Sequence, residues 1–337
     1  MNLISIPPHM TAIEIKQPGG PDVLVPTERP TPQPNEREVL IRIHAAGVNG
    51  PDVLQRKGLY APPPGASDVP GLEIAGEVVA TGSNVSSFTI GDQVMALVPG
   101  GGYAEYAVAD ERTTIHLPQG LSMVEAAALP ETFMTVWANM FQRGQFKAGD
   151  SILIHGGASG IGTTATMLAK AFGASRIFTT VKNQEQESAS RSLGADIAIN
   201  YTEQDFVKEI MRETNGSGVD VVVDIIGGDY VSRNFQVAAM NGRIVQIGVV
   251  KGPATNVDLF PMLVKRLTHI GSTLRSRTHD EKRSIIAELE SQVWPHLHKG
   301  EFKPLIFKTF SLRDAHAAHE LMDSGRHIGK IVLLTQP

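Results

Sequence analysis

The segment Asp150–Lys170, D-S-I-L-I-H-G-G-A-S-G-I-G-T-T-A-T-M-L-A-K, sets a short apolar run, a glycine-rich bend and a helix-forming stretch in immediate succession. Ile152, Leu153 and Ile154 suit a strand buried on both faces, and residues 163–170 carry apolar residues throughout at helical length. Between them Gly157, Gly160 and Gly162 permit a tight turn and close backbone approach, while the first N–H groups of the new helix lack intrahelical acceptors. A diphosphate fits such a cradle. The spacing is G-x-x-G-x-G instead of G-x-G-x-x-G, and taken alone the pattern also describes a plain β–loop–α turn.

The residues beyond the bend decide between the two. Arg176–Val181 (R-I-F-T-T-V), Asp196–Asn200 (D-I-A-I-N), Val219–Ile226 (V-D-V-V-V-D-I-I) and Gly242–Val249 read as strands. Helix-like stretches at Gln184–Leu193 and Glu203–Thr214 separate the first three. This β-α-β-α rhythm is that of a parallel, doubly wound Rossmann sheet, so the bend is read as a dinucleotide site.

At 337 residues, 42% of them hydrophobic, the chain has material for two ordinary domains. The net charge of −5 and pI near 6.1 provide no basic face for nucleic acid or anionic lipid, so neither is expected as a partner. No apolar run reaches the ~20 residues that span a bilayer, and Met1–Met10 lacks the pattern of a secretion signal, so the expected compartment is the cytoplasm. There is no cysteine, which excludes disulfides and thiolate metal sites.

The first ~130 residues differ in kind: dense Pro and Gly with short alternating runs at Glu38–Ala45, Gly71–Ala80, Gln93–Val98 and Tyr103–Val108, as in an antiparallel, barrel-like module. Pro30, Pro32 and Pro34 make a stiff bridge, and Ala61–Ser67 (A-P-P-P-G-A-S) a long non-regular loop.

The run N-G-P-D-V-L-Q-R-K-G-L-Y from Asn49 to Tyr60, P-P-P-G, Gly71-Leu-Glu73, and L-P-E-T-F-M-T-V-W from Leu129 to Trp137 resemble the quinone oxidoreductase group of the medium-chain dehydrogenases/reductases over nearly the whole chain. P-P-P-G-A-S, P-G-G-G, I-G-G and L-R-S-R look similar to its zinc-free, p-fifty-three-inducible type. The resemblance implies an α/β protein with a GroES-like β-barrel catalytic domain at 1–129 and 280–337, interrupted by a Rossmann domain at 130–279. The strand-like I-G-K-I-V-L-L at Ile328–Leu334 would then complete the first domain.

The same resemblance places Asn49 and Leu72 where zinc alcohol dehydrogenases carry metal ligands, and neither side chain serves that purpose. Of the histidines, His316 and His319 share a helical face and His296 and His298 do not; neither pair has an evident third ligand, so no metal is expected. Simple alcohol oxidation needs an alkoxide stabilised by a Lewis acid. A quinone or conjugated carbonyl spreads the charge of an accepted hydride over its own π system and needs chiefly positioning and hydrogen-bond donors. The expected activity is therefore NADPH-dependent, metal-independent quinone reduction. The alternatives are an enoyl or alkenal double-bond reductase, or an NADPH-binding protein without relevant catalysis, such as a redox sensor or RNA-binding relative.

Asn49 and Tyr60 fall where the resemblance puts the nicotinamide and substrate, and each offers a neutral donor to a developing oxyanion. Asn49 could equally cap a helix that starts with Pro51 near its first position. The strand ending Thr179-Thr180-Val181 is followed by Lys182 and Asn183 instead of an acid, which favours the 2′-phosphate of NADPH, although Glu185 and Glu187 follow closely. Further cofactor contacts implied by position are Met134, Gly157, Ala158, Ser159, Gly160 and Ile161, then Tyr201, Ile226, Gly248 and Val249. Leu274, Arg275, Ser276 and Lys330 are implied on the nicotinamide side. Similar proteins pair the segment near 267–274 between two subunits, so a homodimer is expected.

Overall fold

The computed structural model describes residues 6–335; residues 1–5, the first half of the Met1–Met10 stretch, lie outside it. Among the described residues two compact units emerge: 6–134 with 275–335, and Thr135–Leu274.

The first unit opens with β1 (His9–Ile15) and β2 (Leu24–Pro30), an antiparallel pair. There follow β3 (Glu38–Val48), α1 (Gly50–Arg56), β4 (Glu73–Thr81), β5 (Gln93–Leu97), β6 (Tyr106–Asp110), β7 (Thr114–His116), α2 (Met123–Ala126) and α3 (Pro130–Val136), which runs into the second unit.

The second unit contains β8 (Ser151–Ile154), α4 (Gly160–Ala171), β9 (Arg176–Val181), α5 (Gln184–Ser192), β10 (Ile197–Asn200) and α6 (Phe206–Glu213). It continues through β11 (Val219–Asp224), α7 (Tyr230–Val237), β12 (Ala238–Gln246), α8 (Phe260–Val264) and β13 (Thr268–Gly271). The chain then returns to the first unit with α9 (His279–Gln292), α10 (Trp294–His298), β14 (Ile306–Ser311), α11 (Ala315–Ser324) and β15 (Lys330–Leu334).

In the first unit a sheet of order β14-β15-β3-β4-β5-β7, with β6 also on β3, surrounds a core that includes Ile41, Ile43, Ile74, Val78, Ile331 and Leu333. Strand β3 pairs antiparallel with β4, β6 and β15, and residues 45–48 are buried without a break, which explains why it outruns the alternating Glu38–Ala45 pattern to Val48. The strand expected from residue 103 begins at Tyr106, because Tyr103 turns inward as a fully buried side chain and its carbonyl accepts from the Ile13 N–H. Strand β15 lies between β14 and β3, so residues 330–334 are interior to the sheet.

The second unit is a six-stranded parallel sheet of order β10-β9-β8-β11-β12-β13. Ile152, Leu153 and Ile154 of β8 and Val221, Val222 and Val223 of β11 are all completely buried, as central parallel strands require. The order reverses at β8, and the glycine bend leaves its carboxyl end. That is the switch point at which ligands bind in open α/β sheets.

Boundaries in this unit also differ from the sequence expectation. Helix α4 starts at Gly160, three residues before the expected Thr163, because the Ser159 side chain caps it by accepting from the Gly162 N–H at 3.0 Å. Strand β12 ends at Gln246, so Gly248 and Val249 lie in the turn beyond it; Ile226 likewise follows β11.

Candidate active site

Each unit carries its own cluster of chemistry. In the second, the turn leaving β8 is made by Gly156, whose φ of +68° is left-handed. Gly157 and Gly162 are required by closeness: a Cβ on Gly157 would lie 2.7 Å from Thr179 Cβ, and one on Gly162 only 2.1 Å from the Gly156 carbonyl oxygen. Ser159 stands at the cap of α4, and the N–H groups of Gly160 and Ile161 find no acceptor among the described residues. Two free donors at the positive end of a twelve-residue helix, above a bend with no room for side chains, fit a diphosphate. Ala158 is buried in the same bend.

The cradle is held by a buried relay that sequence reasoning missed. Gly156 N–H donates to Thr180 Oγ1 at 3.3 Å, and Thr180 Oγ1 meets His155 Nδ1 at 3.0 Å. His155 Nε2 meets Asn234 Oδ1 at 2.8 Å, and Asn234 Nδ2 donates to Asp224 Oδ2 at 2.9 Å. The other Asp224 oxygen accepts from Ile226 N–H at 2.6 Å and Gly227 N–H at 3.1 Å. Asn234 Oδ1 accepts from His155 Nε2, which therefore carries a proton, and burial lowers the His155 pKa and so favours the neutral ring. The relay locks the loops after β8 and β11 together. The only sequence sign of it was polar residues inside or beside apolar strands.

At the rim, Lys182 is exposed just after β9. Thr202 Oγ1 meets its carbonyl at 3.5 Å, and Tyr201 N–H donates to Val181 O at 3.0 Å, so Lys182 and Tyr201 sit beside each other at adjacent strand ends. Tyr201 is 44% exposed. The Asn183 side chain caps α5, accepting from Gln186 N–H at 2.9 Å. Val249 is exposed in the turn after β12, where the Gly248 carbonyl accepts from Gln246 Nε2 at 2.6 Å. Leu274 is buried.

In the first unit the centre is Glu73, fully buried at the start of β4. Its Oε1 lies 2.6 Å from Lys330 Nζ and accepts from Asn49 Nδ2 at 2.9 Å; its Oε2 accepts from Glu131 N–H at 2.8 Å. Lys330 Nζ also donates to Asn49 Oδ1 at 2.6 Å and to Val48 O at 3.1 Å. Gly47 makes room for this, since a Cβ there would fall 2.1 Å from Glu73 Oε1. The Asn49 amide is thus spent inside the protein, and Asp52 caps the Asn49 N–H at 2.8 Å. All three Lys330 donors are likewise engaged.

Asp52 is fully buried and its pKa is pushed up to about 6 by that burial, against hydrogen bonds from Asn49, Tyr103 and Gly71. Tyr103 OH bonds Asp52 Oδ2 at 3.1 Å and His319 Nε2 at 3.0 Å; Arg56 Nη1 meets His319 Nδ1 at 3.2 Å and Arg56 Nη2 reaches Asp323 at 2.6 Å. Here His319 is a buried hydrogen-bonding group. Among the described residues no group of three or more His, Asp or Glu is placed to hold a metal.

Tyr60 is half-buried, its ring 5.2 Å from the Arg275 guanidinium carbon, and burial raises its hydroxyl pKa. Arg275 is only 7% exposed: Nε and Nη2 donate to Pro99 O at 3.0 and 2.7 Å, and Nη2 to Gln55 Oε1 at 2.9 Å. Its Nη1 is buried without a partner among the described residues. Met134 is buried in α3, and Ser276 is exposed beyond Arg275.

A diphosphate cradle at the switch point of a parallel sheet, in one chain with a β-rich unit that buries a Lys–Glu–Asn cluster, defines a nicotinamide-dependent oxidoreductase of two-unit construction. The alcohol dehydrogenase GroES-like domain model matches residues 35–119, and the zinc-binding dehydrogenase model residues 160–291. Quinone oxidoreductases of Rattus norvegicus and Homo sapiens are each 30% identical over 330 residues, covering 96% of this chain and 98% of theirs. Among solved structures, the quinone oxidoreductase of Pseudomonas syringae pv. Tomato DC3000 superposes with a TM-score of 0.86 at 31% identity, covering 96% of this chain and 99% of that one. A mycobacterial protein solved in complex with NADPH gives the same TM-score and coverage at 29% identity. The chain belongs to the quinone oxidoreductase family of the medium-chain dehydrogenases/reductases.

Proposed function

We propose that this oxidoreductase reduces quinones by metal-independent hydride transfer from NADPH. The observation that carries the reading is Arg275, a guanidinium more than nine-tenths buried whose Nη1 has no partner among the described residues, beside the Tyr60 ring. Leaving a buried donor unpaired costs about 1–3 kcal/mol, a cost offset when an acceptor oxygen binds there. Quinone carbonyl oxygens are such acceptors, and they gain negative charge during reduction.

The cradle of Ser159, Gly160 and Ile161 holds the cofactor diphosphate, with Gly157 and Ala158 shaping the bend and Lys182 and Tyr201 toward the 2′-phosphate. When bound, the cofactor supplies a hydride. Lys182 without an acid at the end of β9 supports NADPH over NADH. Asn183, Ile226, Gly248 and Val249 line the same sheet edge. In the first unit Tyr60 and Arg275 present donors to substrate oxygen, with Met134 and Ser276 as neighbouring contacts; Leu274, the last residue of the second unit, is assigned to the cofactor. Asn49 acts with Lys330 in holding Glu73. The cytoplasm remains the compartment expected from the sequence.

The test uses NADPH deuterated at the transferred position with a panel of quinones and conjugated enones. Hydroquinone that loses the label to water supports the proposal; label retained in a new C–H bond of an enone, with quinones left unreduced, replaces it with double-bond reduction. Equal kcat/KM for NADPH and NADH removes the 2′-phosphate assignment.

The second unit supports self-association. Strand β13 is an edge of its sheet, and α8 beside it exposes Phe260, Leu263 and Val264. A homodimer formed through residues 267–274 covers both; light scattering showing a monomer at micromolar concentration overturns it.

A further inference from the structure

Reduction of a quinone by hydride leaves an oxyanion that needs one proton, and that proton needs a donor. Glu131, at the second position of α3, has its backbone N–H fixed on Glu73 Oε2 at 2.8 Å. Its own carboxyl makes no hydrogen bond or ion pair among the described residues, although the side chain is only partly exposed. The charged groups that act on it are Glu73 on β4, Lys330 on β15, Asp52 on α1 and Lys282 on α9, and its own charge acts in turn on Tyr60 and Arg275. The two cations nearest to balancing it are committed elsewhere, Lys330 to Glu73 and Asn49, and Lys282 to the Arg275 carbonyl at 3.0 Å.

A carboxyl without a hydrogen-bond partner among the described residues, anchored through its backbone N–H to Glu73 and within electrostatic reach of Tyr60 and Arg275, is placed to carry a proton. We propose that Glu131 is the catalytic acid of the reductase, donating to the substrate oxygen held at Tyr60 and Arg275; this rests on the quinone-reductase reading. The Glu131 O–H bond breaks as the hydroquinone O–H bond forms, and the carboxylate left behind takes a proton from water. Each turnover therefore consumes one solvent proton, with both electrons coming from the hydride donor. Burial, and the like charge of Glu73 after it, push the Glu131 pKa up to about 7, where a carboxyl both holds and releases a proton at neutral pH.

The test has two arms. In cofactor-free protein carrying 13C-labelled glutamate, the carboxyl resonance absent from Glu131→Gln should titrate near neutrality; a resonance already ionised at about pH 5 overturns the assignment. In turnover, Glu131→Gln should lower kcat for quinones by about 10²-fold and abolish the fall of wild-type rate above neutral pH, with Glu131→Asp recovering part of both. An active wild type matched in rate and pH profile by Glu131→Gln overturns the acid alone. A wild type inert toward every quinone and enone overturns the reductase reading and the acid with it.

Discussion

Lys330 Nζ lies 2.6 Å from Glu73 Oε1, with side-chain exposures of 4% and 0%, so an ion pair is sealed inside the first unit. Taking both charges out of water is costly, and the geometry repays it through the additional bonds from Asn49 and Glu131 N–H. Lys330→Met, which strands the Glu73 carboxylate, should cost about 3–5 kcal/mol in urea denaturation. Glu73→Gln should cost a comparable amount, and the double variant markedly less than their sum. Additive costs would show that the two charges do not act as a pair.

The cradle predicts a separation between stability and binding. Ser159→Ala removes the cap of α4 and should cost about 1 kcal/mol, with a moderate loss of NADPH affinity. Gly162→Ala forces a Cβ onto the Gly156 carbonyl at 2.1 Å and should weaken NADPH binding more than tenfold. Fluorescence titration of the cofactor alongside thermal unfolding distinguishes the two; a Gly162→Ala variant that binds NADPH normally contradicts the cradle.

Lys182→Glu places an acid where β9 ends. The ratio of kcat/KM for NADPH over NADH should fall at least about tenfold, mainly through KM for NADPH. An unchanged ratio would show that Lys182 is only a solvated cation.

Burial, with Arg56 alongside, lowers the His319 pKa to about 3. An unfolded histidine takes its proton near 6.5, so below that pH the unfolded chain binds the proton first and stability falls as pH drops toward 3. Asp52 contributes the opposite slope, because its raised pKa favours the folded state at low pH and loses that advantage as pH rises from 3.8 to about 6. Between about pH 6.5 and 4, wild type should therefore lose more stability than His319→Gln, measured by urea midpoints. Parallel losses in the two proteins would place the histidine's titration elsewhere.

The sheet of the second unit was legible because buried parallel strands leave continuous apolar runs such as Ile152–Ile154, and the glycine bend because its spacing has a steric cause. Gly156, which was not among the glycines singled out, carries the positive φ, whereas Gly157 answers to the closeness of Thr179. Asn49, Tyr60, Arg275 and Lys330 could be singled out by position, yet what they do to one another could not. Lys330 meets Asn49 across 281 residues of chain, and His155 meets Asn234 across 79. No local pattern encodes such partners. Glu73, Asp52 and Glu131 stood inside the motifs that were read, and the raised pKa values of Asp52 and Glu131 arise only once burial and neighbouring charge are known.

Strand β15 sits between β14 and β3 although it is made after the entire second unit. During synthesis the six parallel strands of that unit are all available to pair while residues 45–48 of β3 still lack their neighbour on the β15 side. The buried carboxylate of Glu73 waits for its counter-ion over the same interval. The emerging chain is therefore equipped to fold its nucleotide half early, but it cannot seal the other half, or acquire a working charge balance there, until residue 330 has left the ribosome.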